Sequence, residues 1–409
     1  MESREHPKVT RYLQRSVTVD LQDRMVFIGG PRQVGKTTLA LDFLNPPSTS
    51  SPGYLSWDDA QARKIILRGE LPLDAPQLVL DEIHKFARWR QLVKGWFDIH
   101  GKERRILVTG SARLDYYRKG GDSLQGRYHY YRLHPFSLPE LENNRELNNN
   151  SYELESPIGL SDHFLDQPLD QLLDQLLGFG GFPEPLLRGD KRFWRRWQRE
   201  RRQRVVYGDL RDLENVREVS LLDLLVEELP ERVGSPLSLS KLADVLQVAH
   251  ATVARWLEIL ERLYVCFRIA PYGSPKIRAV KKEQKLYLWD WSLVEKKGPR
   301  FENMVASHLL KYCHFVEDTE GRNMDLRYLR DTDGREVDFV VLRDGTPQFA
   351  VEVKQTESNP DSSLYYFRDR TPIPLFYQVH LKCGQRGGFE KNGIRVLPFA
   401  RFCKEAGLV

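Results

Sequence analysis

"MVFIGGPRQVGKTTLA", residues 25–40, reads as an apolar strand, a glycine-rich turn and the first turn of a helix. Within it Gly30, Gly35, Lys36 and Thr37 satisfy G-x-x-x-x-G-K-[ST]. Glycine at both places lets successive backbone N–H groups wrap a run of phosphates. The lysine then reaches the outer phosphates, and the next hydroxyl is placed to hold magnesium. The loop Gly30, Pro31, Arg32, Gln33, Val34, Gly35, Lys36, Thr37 and Thr38 is therefore expected to bind ATP with Mg²⁺.

Such a loop needs a second strand that presents an acid to the metal. "QLVLDEIHKF" (77–86) supplies it: Leu78 to Leu80 form an apolar run that ends at Asp81, a candidate magnesium ligand beside Thr37. Glu82 follows and is placed to polarise an attacking water. "RRILVTGSARL" (104–114) is a third buried strand, ending in Thr109 and Ser111, hydroxyls suited to the γ-phosphate or the water. Three such strands imply an open parallel α/β sheet that binds ligands at its carboxyl edge. "DEIH" also spells a helicase box. A helicase of that kind needs a second nucleotide-binding core, and the chain after residue 140 shows none.

The bulk composition agrees with a globular ATP-dependent protein. The chain has 409 residues, enough for several domains, with 41% hydrophobic and 29% charged residues and a net charge of +5. No apolar run approaches the ~18 residues of a membrane span, and the charged N-terminus lacks a secretory apolar stretch. Cys266, Cys313, Cys383 and Cys403 have no metal-ligand spacing. They fit a reducing cytoplasm and no membrane partner.

Across 20–140 these motifs resemble an AAA+ ATPase. The likeness is to the prokaryotic group that reads GPRQVGKTT, an LDEI with five residues between it and a Trp, TGSA, and a GR before a strand and a PFS turn. Trp89, Gly126, Arg127 and "HPFSLPEL" occupy the corresponding places. The resemblance implies that Arg127 reaches the ATP of a neighbouring subunit, and that the chain works as a homo-oligomer, a hexameric ring. A solvated arginine or an ion pair within the subunit is the plainer reading.

The remainder falls into three expected segments: 141–225, a linker and helical lid; 226–275; and 276–409. "ELENNRELNNNSYELESPIGLSDH" (140–163) is Asn-rich and weakly periodic, and reads as a loop. Leucines at helical spacing in 164–188 read as the lid. "KRFWRRWQRERRQR" (191–204) has eight basic residues, one acid and three aromatics. It could face phosphates, or pack its tryptophans inward and leave its arginines in water. In 237–272 two apolar-striped helices, the first marked by Leu242, Val245 and Leu246, flank a turn near Val248 and precede a strand. This is the pattern of a winged helix-turn-helix with His250, Thr252 and Arg255 outward. Such modules bind DNA or other proteins.

"EVDFVVLRDGTPQFAVEVKQT" (336–356) reads as a hairpin that nevertheless carries Asp338, Glu352 and Lys354. Residues two apart share a strand face, so Glu352 and Lys354 lie together, with Asp338 opposite. With Glu302 on the preceding helix, the pattern resembles the PD-(D/E)XK nucleases. That likeness implies magnesium on Glu302, Asp338 and Glu352, with Lys354 activating water. Cross-strand salt bridges give the same spacing. The expected architecture is thus α/β: an AAA+ core over 1–140, a helical lid, a winged helix, then a restriction-endonuclease-like domain. The expected activity is an oligomeric ATP-driven motor or remodeller on duplex or branched DNA. The alternatives are an ATP-gated magnesium-dependent endonuclease and an ATP-switched regulatory or scaffold protein.

Overall fold

The computed structural model describes residues 9–72, 75–110, 124–150, 168–209, 219–273, 283–381 and 387–409. The chain divides into two compact units. One comprises Thr10–His134 with Arg262–Tyr264, the other principally Pro135–Glu261 and Val265–Val409. Among the described residues no helix is long and apolar enough to cross a membrane. Cys266, Cys313 and Cys403 are buried, while Cys383 lies outside the described residues.

The first unit is built on β1 (Met25–Gly29), β2 (Tyr54–Ser56), β3 (Gln77–Asp81), β4 (Arg105–Thr109) and β5 (Tyr128–Arg132). All neighbours are parallel and the order is β2-β3-β4-β1-β5. A parallel sheet is covered on both faces, which is why the central strands β1, β3 and β4 carry unbroken apolar runs rather than alternating ones. Every residue of β1 is buried. On one face Phe27, Leu80 and Val108 meet Trp89, Val93 and Trp96 of the helix Trp89–His100. The chain leaves β1 for the far edge of the sheet and works back toward it. The strand order therefore reverses beside β1, and the crevice at the carboxyl ends opens there.

The second unit holds β6 (Cys266–Pro271), β7 (Lys285–Leu288), β8 (Met324–Arg330), β9 (Glu336–Arg343), β10 (Thr346–Lys354), β11 (Phe376–His380), β12 (Phe389–Lys391) and β13 (Ile394–Pro398). They form one mixed sheet in the order β12-β13-β11-β10-β9-β8-β6-β7. Residues on both sides of the expected break at 275 therefore contribute to one sheet. β6 pairs antiparallel with β7 and parallel with β8. Ahead of β6 stand the helices Leu239–Leu246 and His250–Arg262, separated by a turn that Gln247 enters at φ 54°. Leu242 and Leu246 are buried as expected, whereas Val245 is exposed.

The expectation of a loop from 140 is corrected over its first part, where a helix, Leu138–Asn150, runs; 151–167 lie outside the described residues. Asn is a poor helix former, so this helix depends on tertiary anchors at its start. His308 Nε2 accepts the Leu138 N–H at 2.9 Å, while its Nδ1 donates to the Met304 carbonyl at 2.7 Å. Burial pushes this imidazole down to about 3, so it is neutral and fit to accept. The buried Lys311 ammonium donates to Glu140 at 2.6 Å and to Ser137 Oγ at 2.8 Å. Removing one partner of such a buried pair leaves an uncompensated charge. Glu140→Ala is expected to lower unfolding free energy by about 3–5 kcal/mol, measured by urea denaturation. A loss within the scatter of surface mutants would show that the pair does not anchor the helix.

Candidate functional site

The turn after β1 is shaped by backbone constraints that only its sequence meets. Gly30 has φ 141°, and a Cβ there would stand 2.4 Å from the Leu133 carbonyl oxygen. Gly35 has φ 97° and precedes the helix Lys36–Leu41 in the left-handed region. Gln33 also has positive φ, 62°. Inside the turn the Lys36 ammonium donates to the carbonyls of Gly30 (3.0 Å) and Pro31 (2.7 Å). From outside, buried Arg11 ties the turn to the end of β5. Its guanidinium donates to Val34 O at 2.8 Å and to His134 O at 2.5 Å. Sequence reading missed Arg11, because no motif spacing marks it.

Asp81 closes β3 and is the hub of the site. Thr37 Oγ1 donates to its Oδ2 at 3.0 Å and Tyr54 OH donates to the same oxygen at 2.7 Å; Thr109 Oγ1 donates to Oδ1. Register explains the gathering: Ser56, Asp81 and Thr109 are neighbours across β2, β3 and β4. Thr109 was expected to face phosphate or water; here it is fully buried and bound to the acid. Tyr54 was not foreseen. Burial, then its bond to Asp81, raises its phenol well above the ordinary range, so it remains a donor.

In the second unit β10 pairs with β9 as far as Val351 opposite Phe339, and Asp338 and Glu352 are the next residues of the two strands. Val353 N–H donates to Asp338 Oδ2 at 2.9 Å. Lys354 Nζ donates to Glu352 Oε1 at 2.7 Å and to Asp361 Oδ2 at 3.0 Å. Glu302, from the helix Lys297–Glu320, accepts the Tyr287 hydroxyl at 2.7 Å. A residue that the sequence did not single out stands among them. Lys285 Nζ lies 3.6 Å from Glu302 Oε1 and 3.5 Å from Asp338 Oδ1, and pairs with Glu336. Lys285 is fully buried, as is all of β7. Burial alone would push its pKa down. Asp338, Glu302 and Glu336 outweigh that and raise it, so the group is an ammonium. Burial, then Asp338, raises both Glu302 and Glu352 above the ordinary carboxylate range. Among the described residues no group of three His, Cys, Asp or Glu side chains is arranged to hold a metal ion. The expected ligand set Glu302, Asp338 and Glu352 is thus assembled around lysines.

The basic run forms the helix Lys191–Gln203 and has two distinct sides. Trp197 and Arg201 are buried; Arg201 lies 3.6 Å from Asp290 and stacks 4.0 Å from the Phe182 ring. Trp194 Nε1 donates to Ser292 Oγ at 3.0 Å, and Arg202 pairs with Asp223 and Glu227. Lys191, Arg192, Arg195, Arg196 and Arg199 are exposed. The tryptophans pack inward, five basic residues remain exposed, and Arg201 and Arg202 are drawn into ion pairs instead of staying in water. On the helix His250–Arg262, His250 and Arg255 are exposed and Thr252 is half-buried.

Residues 22–142 match the family model described as an AAA domain. This part of the chain is an AAA-type ATPase domain. Residues 170–297 and 297–402 match two models described as domains of unknown function, DUF8612 and DUF4143. Two Methanocaldococcus jannaschii relatives align. Uncharacterized protein MJ1544 is 23% identical over 78% of this chain and 74% of its own length. Uncharacterized protein MJ1637 is 24% identical over 68% of this chain and 62% of its own. Among solved structures, Aeropyrum pernix ORC1 in complex with DNA aligns at 14% identity and TM-score 0.34, over 73% of this chain and 94% of that one. A Thermotoga maritima RuvB variant aligns at 18% identity and TM-score 0.30, over 63% and 88%.

Within the AAA domain, Glu82 directly follows Asp81 in a conformation costly for a residue with a Cβ, φ 55°. Its carboxylate lies 3.5 Å from His84 Nε2 and 3.6 Å from Lys85 Nζ. Burial raises its pKa and the charge of Lys36 opposes that. Ser111 lies outside the described residues. Arg127 sits at the other end of the sheet. Met25, the first residue of β1, pairs with Tyr128, so Arg127 borders the amino edge while the loop follows the carboxyl edge. Five residues of β1 at ~3.3 Å each separate them, about 16 Å. Arg127 is held there by Asp98, with Nε at 2.6 Å from Oδ1 and Nη2 at 3.2 Å from Oδ2.

Proposed function

We propose that this chain is an ATP-hydrolysing, ring-forming motor or remodeller that acts on duplex or branched DNA. The residues of the nucleotide site fit ATP and magnesium. Gly30 and Gly35 give the turn its positive-φ path, φ 141° and 97°, and the Thr37 hydroxyl stands against the Asp81 carboxylate. The loop amides and Lys36 would hold the phosphates, and Thr37 with Asp81 would hold magnesium, which supplies charge neutralisation when bound. Glu82 orients water and takes its proton at the carboxylate. Tyr54 and Thr109 fix the Asp81 rotamer. Arg127 is too far from its own loop to serve it, which supports a role in the site of a neighbouring copy.

The observation that carries DNA as partner is the outer side of the helix Lys191–Gln203. Lys191, Arg192, Arg195, Arg196 and Arg199 are exposed there, and none of the five has a carboxylate partner among the described residues. Cations paired with acids would form an ordinary solvated face; five left without acids match a phosphate backbone. The helix pair ending at Arg262, with β6 and β7 behind it, supports a winged-helix reading and a second DNA-facing surface at His250, Thr252 and Arg255.

The test is DNA binding against salt, together with ATP turnover with and without duplex and branched DNA. Binding should weaken steeply with salt, and DNA should raise turnover. Replacing Arg195, Arg196 and Arg199 with Glu should flatten the log–log salt slope by about 0.9 for each phosphate no longer neutralised, so by about 2.7 for three. Wild-type protein that binds no DNA at low salt would instead be an ATP-switched regulator or scaffold.

A further inference from the structure

The carboxylates of the C-terminal sheet meet a cation from their own chain. Lys285 Nζ stands within 3.6 Å of oxygens on Glu302 and Asp338 and pairs with Glu336, whose other oxygen takes Arg330 Nη1 at 2.6 Å. A magnesium ion bound to Glu302 and Asp338 would need ligand oxygens at about 2.1 Å. It would then stand beside the ammonium as a like charge in a buried place. Part of the remaining lone-pair capacity is also taken. Asp338 Oδ2 takes the Val353 amide and Glu302 Oε1 takes the Tyr287 hydroxyl. Glu352 pairs with Lys354.

Lys285 has no room to withdraw. Its own residue is fully buried, the Tyr328 ring lies 5.4 Å from its nitrogen, and β7 is bridged to Pro236 on one side and paired with β6 on the other.

We propose that Lys285 is the resident counter-ion of Glu302, Glu336 and Asp338, and that it keeps divalent metal out of this site. The chain keeps the residue pattern of a magnesium-dependent nuclease but fills its metal position with its own ammonium. The C-terminal unit then serves binding rather than strand cleavage. This inference does not depend on the ATPase reading, because the cluster lies wholly in the second unit.

The test uses Mn²⁺ as probe and the full-length, nucleotide-free protein, with bound ion counted by loss of the free-ion EPR signal. Wild type, Asp338→Asn and Glu302→Gln are expected to take up the same amount of Mn²⁺. Lys285→Ala should gain one site per chain, at least about tenfold tighter than any wild-type uptake there. That gain should be lost when Asp338→Asn is added. Wild-type Mn²⁺ that disappears in Asp338→Asn or Glu302→Gln would overturn the proposal. So would a folded Lys285→Ala protein that takes up no additional ion. If Lys285→Ala folds only with Mn²⁺ present, the metal has replaced the ammonium and the proposal stands.

Discussion

Arg127→Ala is expected to lower ATP turnover by about 10³–10⁵, the scale for loss of an arginine that stabilises a phosphoryl-transfer transition state, while ATP affinity is retained. The expectation follows from the sheet register. Arg127 borders the amino edge beside Met25, and its own nucleotide loop follows the carboxyl edge. A contribution to catalysis must therefore come from a different copy of the chain. Mixing settles whether it does. Arg127→Ala subunits retain Glu82, and Glu82→Gln subunits retain Arg127, so an interface between the two contains one complete site. Turnover recovered on mixing two inactive proteins establishes catalysis between subunits. Arg127→Ala at near wild-type rate reduces the residue to its exposed ion pair with Asp98. A protein that remains monomeric in ATP has the same consequence.

Lys36→Ala is expected to remove ATP binding and with it turnover, by at least about 10²–10³, since a fixed charge aimed at the phosphates is lost. Glu82→Gln should separate the two steps: ATP binds and hydrolysis is slow. Nucleotide binding by fluorescence and phosphate release by a coupled assay distinguish the variants. Burial holds the Glu82 carboxyl above its ordinary range. It is protonated at a higher pH than a free glutamate. Turnover should therefore fall, on acidification, above the usual carboxylate range. Unchanged turnover in both variants would remove the nucleotide-site assignment.

The nucleotide loop and its acid could be read because local spacing and chemistry coincide there. Strand, turn and helix follow one another within residues 25–40, and Asp81 ends an apolar run. Arg11 and Tyr54 could not be read. They reach the site through the register of β2 and the path before β1, and neither has a fixed sequence distance from the loop. Lys285 was hidden for a different reason. It follows Lys281, Lys282, Glu283 and Gln284 and opens a buried strand, so it looks like the last exposed lysine of a polar run. Only the pairing of β7 with β6 turns it toward Glu302 and Asp338. The helix Leu138–Asn150 was missed because its Asn-rich composition argues against it, while its anchors, His308 and Lys311, lie some 170 positions away.

The placement of β6 between β7 and β8 governs how this chain can be dissected. A fragment starting near residue 276 would lose β6, and β7 would be left with no strand partner. The bare edge of β8 would then offer its unpaired amides to any other chain, a route to aggregation. Lys285 would lose the strand that holds it. A shorter C-terminal fragment should therefore precipitate or behave as a mixture. A fragment begun before the helix Leu239–Leu246 keeps the sheet edge covered.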